Sequence, residues 1–115
     1  MKQGCRYGTH RVLEPKGTLP QPAQKLDNTM ELYDNEMLIS VKTLNIDSAS
    51  FTQIKTACNG DTDRMAKMIT DIVAERGKMQ NPVTGSGGML IGTVKAIGPN
   101  FPAAGVKTGY TIATL

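Results

Sequence analysis

Gly85-Ser86-Gly87-Gly88-Met89-Leu90-Ile91-Gly92-Thr93-Val94-Lys95-Ala96-Ile97-Gly98-Pro99-Asn100 decides how this chain of 115 residues is read. A glycine-rich turn feeds an apolar run, and a second turn at Gly98-Pro99-Asn100 closes it. A glycine loop that cradles a nucleotide phosphate has to open a helix, because the helix N-terminal amides hold the anion. Met89, Leu90, Ile91, Thr93 and Val94 carry no helical stripe and favour a strand. The glycines are therefore expected as backbone-access residues at the edge of a cleft.

Upstream of this stretch the period alternates. Met37, Ile39 and Val41 fall on one side of a strand over residues 36–44, with Ser40 and Lys42 on the other, after the turn signal Asp34-Asn35. The spacing then becomes helical. Phe51, Ile54, Lys55 and Cys58 predict a short helix with Ser48 or Ser50 as N-cap, ended by Asn59-Gly60. A second helix is predicted over residues 63–76, with the stripe Met65, Met68, Ile69, Ile72 and Val73, caps at Asp61 to Asp63, and a stop at Gly77. Pro15, Pro20 and Pro22 make the first 29 residues an extended arm with a short strand at Arg11 to Leu13. A loop over 101–109 leads to a last alternating strand over 110–115, and the ending on a strand suggests a boundary cut through a larger protein or a shortened gene.

Composition narrows the function. One domain with one core fits this length, and 39% hydrophobic with 20% charged residues is globular. The net charge is +3, but the basic residues are scattered and there are only three Tyr, two Phe and no Trp, so no nucleic-acid surface is expected. No run reaches membrane-spanning length, and the N-terminus has no apolar signal core. Cys5 and Cys58 form no metal-like pair, which suits reduced thiols in a cytoplasmic protein.

Three stretches resemble the N-terminal, GroES-like domain of the medium-chain dehydrogenase/reductase superfamily: residues 36–47, residues 85–94, and Ile97-Gly98-Pro99-Asn100 with Gly105 to Gly109. Within it, residues 4–12, Glu14 to Gly17, Leu44 to Phe51 and Asn81 to Gly88 resemble the 3,5-diaminohexanoate dehydrogenase family of anaerobic lysine fermentation. The resemblance implies a mainly β, α+β fold: a GroES-like, partly open β-barrel with one or two inserted helices. It implies a substrate-side domain, over residues 1–115, of an NAD- or NADP-dependent amino-acid dehydrogenase. The substrate is a small diamino acid, and the Rossmann nucleotide-binding domain is absent from this chain, leaving it inactive alone. Relatives that use zinc place a cysteine where Asp47 stands and a His-Glu pair where Ser86-Gly87 stands, so no zinc is expected. A homo-oligomer, and a stand-alone binding or assembly module that kept the fold, remain alternatives.

The chemistry narrows to a few side chains. Oxidising an ammonium group first requires loss of a proton, and a nearby carboxylate can take it and steady the iminium. The resemblance puts Asp47 in that role; an Asp between a strand and a helix is equally a cap. Ser48, Ser50 and Ser86 are candidate substrate contacts, the first two also helix caps. Gly85, Gly87 and Gly88 are candidates for close approach of the cofactor, or a tight turn. Arg6, Arg11 and Lys16 offer charge for a substrate carboxylate, with solvated charge as the default. His10 reads as a surface or packing residue.

Overall fold

The computed structural model describes residues 1–114. In chain order it has β1 (Val12–Glu14), β2 (Lys25–Leu26), β3 (Met37–Ile46), α1 (Ser48–Ala57), α2 (Thr62–Arg76), β4 (Gly88–Ile97) and β5 (Thr111–Thr114). Leu115, included in the last expected strand, lies outside the described residues. β1 and β2 form a small antiparallel pair, and β3-β4-β5 form an antiparallel sheet with β4 in the middle. This is the expected mainly β, α+β class with two helices. The sheets do not close into a barrel among the described residues.

The β3–β4 ladder runs from Met37 opposite Ile97 to Ile46 opposite Gly88. Both strands are longer than their alternation predicts, and the register slips between Leu38 and Ile39 and between Val41 and Thr43. The first slip leaves Lys95 of β4 as the extra residue, and the second leaves Lys42 of β3, after Val41. Val41, expected on the buried side with Met37 and Ile39, is 53% exposed, while those two are half-buried. The close strand contact has a specific requirement at Gly88, where a Cβ would lie 1.7 Å from the Asn45 carbonyl oxygen.

Both helices form where the periodicity puts them. Asp47, not Ser48 or Ser50, is the N-cap of α1; its backbone is extended and its side chain accepts from the Ser50 N–H. Asp61 caps α2 through the N–H groups of Asp63 and Arg64, and Gly77 ends it in the left-handed region at φ 74°. Ile54, Cys58 and Met65 are buried together, with Met68, Ile69 and Met79 packed against them. This core sits beneath the two helices and beside the segment leading to β4.

The N-terminal arm is fixed by a cluster the sequence does not advertise. Arg11 is not solvated: its side chain is 15% exposed and grips the Glu36 carboxylate through Nε and Nη2, both at 2.7 Å. Its remaining donors reach the carbonyls of Thr29 and Glu31, and its guanidinium lies over the Tyr33 ring. His10 Nδ1 accepts from the Cys5 N–H at 2.9 Å, which leaves Nε2 to donate to Glu36 Oε2 at 2.9 Å. The Arg11 guanidinium pulls the Glu36 carboxyl down to about 2, with help from the Tyr33 N–H and His10.

Because folding lowers this carboxyl from its ordinary value of 4.5 to about 2, its stabilisation is complete above about pH 4.5. It is lost as pH falls through about 2. Glu36→Gln should therefore be less stable than wild type near neutrality in urea unfolding, and the gap should narrow steadily between those two pH values. A gap unchanged across that range would remove the ionised carboxylate as its cause.

Candidate functional site

The ladder ends with Ile46 opposite Gly88, so the next residue on each strand, Asp47 and Gly87, must meet. The Asp47 N–H donates to the Gly87 carbonyl at 2.8 Å. Directly beside them Ser86 Oγ donates to Asp47 Oδ1 at 3.1 Å, and the Ser50 N–H reaches the same oxygen at 2.7 Å. The Ser50 N–H, then the Ser86 hydroxyl, hold the Asp47 carboxyl below its ordinary value against the opposing effect of partial burial. Asp47 is thus an anchored carboxylate that stays charged.

Ser50 lies behind it, fully buried. Its hydroxyl is 3.0 Å from the Ser86 carbonyl, 2.9 Å from Ser86 Oγ and 3.2 Å from Thr84 Oγ1. Thr84 and Ser86 hydroxyls are themselves 2.8 Å apart. Each hydroxyl carries one proton. With Ser50 donating to the Ser86 carbonyl and Ser86 donating to Asp47, Thr84 supplies the remaining one. The knot fixes the Ser86 side chain from behind, while Ser48 opens α1 at the surface outside it.

The glycines answer to the chain's own backbone. Gly85 has φ 73°, a turn conformation that suits glycine. A Cβ on Gly87 would stand 2.3 Å from the Met79 carbonyl oxygen. Asn81, which sequence reasoning missed, holds the loop. It is buried, its N–H donates to the Ser86 carbonyl, its Oδ1 accepts from Val83, and its Nδ2 donates to Gln53. The Asn-Pro pair at 81–82 is a turn signal that could have flagged it.

These elements border an open cleft of about 970 Å³. Asp47, Gly85, Ser86, Gly87 and Gly88 line it together with Lys78, Met79 and Gln80 and the apolar Leu44 and Leu90. Gln80 gives Nε2 to the Gly85 carbonyl, and its Oε1 is a buried acceptor with no donor among the described residues. Ser48, Ser50, His10, Arg6, Arg11 and Lys16 are not among the lining residues. The structure thus brings Asp47, Ser86 and all three glycines to one cleft, places Ser50 as their buried support, and leaves Ser48 outside.

A family model described as the L-erythro-3,5-diaminohexanoate dehydrogenase N-terminal domain matches residues 10–115. The chain is 61% identical over 116 residues to a protein of Fusobacterium nucleatum subsp. nucleatum named L-erythro-3,5-diaminohexanoate dehydrogenase, an alignment covering 100% of this chain and 34% of that one. A protein of the same name from Acetoanaerobium sticklandii is 60% identical over 114 residues, 98% of this chain and 33% of its own length. The chain spans about a third of the length of these curated relatives.

Ser50→Ala should destabilise the chain by roughly 1–3 kcal/mol in urea unfolding, because it leaves the Ser86 carbonyl and its hydroxyl partners short of a buried donor. Asp47→Asn should fold normally, since asparagine caps a helix as well as aspartate does. A Ser50→Ala chain as stable as wild type would show that the hydroxyl knot adds nothing.

Proposed function

This chain belongs to the L-erythro-3,5-diaminohexanoate dehydrogenase N-terminal domain family, and from that premise we propose that it is the substrate-side wall of an NAD(P)-dependent dehydrogenase. The enzyme would oxidise the 3-amino group of 3,5-diaminohexanoate in lysine fermentation, releasing 5-amino-3-oxohexanoate and ammonia. The observation that carries the reading is an ionised carboxylate, Asp47, held beside the Ser86 hydroxyl on the wall of an open cleft. The likeness to GroES-like domains of medium-chain dehydrogenases belongs to the same proposal.

The dinucleotide fits this chain only in part. Gly85 to Gly88 leads into a strand, β4, so it offers no helix N-terminus for a pyrophosphate. The grip on the dinucleotide therefore falls to the remainder of the longer protein, and the cleft has room for a flat ring beside Ser86 and Gly87. A nicotinamide held there by Ser86 and the Gly85–Gly88 turn would supply the hydride acceptor for the amine-bearing carbon. The chain's own residues do the rest. Asp47 is a weak base, because its hydrogen bonds stabilise the charged form. The substrate ammonium gives up its proton to water in the open cleft. Asp47 suits a fixed negative charge that draws in the ammonium and steadies the iminium formed as hydride leaves. Ser86 donates to Asp47 and has the Thr84 hydroxyl against one lone pair, which leaves its other lone pair for the substrate nitrogen or for the water that hydrolyses the iminium. Ser50 acts as a positioning residue through Ser86.

The test is NAD(P)H formation from 3,5-diaminohexanoate by the full-length protein. Wild type should turn over, and Asp47→Asn should lower kcat/KM by roughly 10²–10³-fold, the usual loss for one electrostatic group at a reacting centre. Absence of turnover in wild type would reject the activity. Unchanged turnover in the variant would reject Asp47 alone.

A further inference from the structure

The cationic residues expected to receive a substrate carboxylate are elsewhere engaged. Arg11 is committed to Glu36 and to arm carbonyls, Arg6 lies over the Tyr7 ring, and neither they nor Lys16 border the cleft. Lys78 does. Its Nζ is fixed by two carbonyls, Pro20 and Gln21, each at 2.8 Å, and those two residues line the same cleft. An ammonium has three N–H donors, so these bonds orient the group and leave a third N–H. Lys78 is followed by Met79, whose carbonyl packs on Gly87, and the Gly87 carbonyl in turn holds the Asp47 N–H. A cation, Lys78, and an anion, Asp47, thus line one open cleft.

We propose that Lys78 receives the carboxylate of the amino-acid substrate while Asp47 faces its ammonium group, so that this pair selects a zwitterion and sets its direction in the cleft. The inference rests on the dehydrogenase reading above and adds the substrate's anchoring residue. Arg76 strengthens it. Its Nε and Nη1 donate to the Gln24 and Gln80 carbonyls, and its charge adds to the positive field at Lys78. Burial, with that neighbouring charge, already strains the Lys78 ammonium toward its neutral form. An incoming carboxylate relieves that strain by restoring an opposite charge. An uncharged substrate end has no such effect.

The experiment compares kcat and KM for 3,5-diaminohexanoate and for its primary amide in the full-length protein. Wild type should prefer the acid. Lys78→Met should raise KM for the acid by roughly tenfold or more, the scale for losing one partner of a close charge pair, with the loss falling on KM more than on kcat. The preference for acid over amide should collapse. Lys78→Gln, which keeps an N–H donor for the arm carbonyls, carries the same comparison should the methionine variant fail to fold. A variant that slows both compounds equally keeps the preference; Lys78 would then be only the anchor of the arm, and the inference falls. Wild type without turnover of either compound removes the functional reading itself and this inference with it.

Discussion

The constraint on which the site depends is the register of the β3–β4 ladder. More than forty residues and two helices separate Ile46 from Gly88 in the sequence order of the strands, yet they pair directly. That pairing makes Asp47 meet Gly87 one step later. A slip of one residue would reverse which face each side chain takes and would carry the carboxylate away from the Ser86 hydroxyl. The glycines enforce the alignment. Gly88 admits the Asn45 carbonyl and Gly87 admits the Met79 carbonyl at distances no side chain tolerates. Steric exclusion at two adjacent positions therefore does the work that hydrogen bonds alone would leave loose.

A second theme is how a proline-rich arm satisfies its backbone. Segments with little regular pairing leave carbonyls in need of donors. Here cations supply them: Arg11 reaches Thr29 and Glu31, Arg76 reaches Gln24, and Lys78 reaches Pro20 and Gln21. Charge-assisted bonds of this kind are stronger than neutral ones. Glu36 then balances one of the three cations, Arg11. Three basic residues far apart in the sequence thus serve the carbonyls of a single segment.

This explains which parts were legible in the sequence. The helices over 48–57 and 62–76, their stop at Gly77, and the strands leading out of Asp34-Asn35 and the glycine turn follow from local periodicity and turn chemistry, which act over a few residues. The meeting of Asp47 with Ser86 was legible only through resemblance, because no local signal encodes a partner thirty-nine positions away. The role of the glycines was half legible: close approach was expected, and the approaching group is the chain's own carbonyl. Arg11, Glu36 and Lys78 were opaque for one reason. A charged or amide side chain has no periodicity, and its partner is chosen by tertiary proximity. The exposure of Val41 was opaque too, since alternation tells which residues share a face and not what covers each point along it.

The open sheet has a practical consequence. β3 keeps one side unpaired among the described strands, and Val41, Leu44, Met89 and Ile91 stand substantially exposed on the same sheet. Unpaired backbone beside greasy side chains is a template on which another polypeptide can crystallise its own strand. Concentrating the isolated chain thus favours association along that rim.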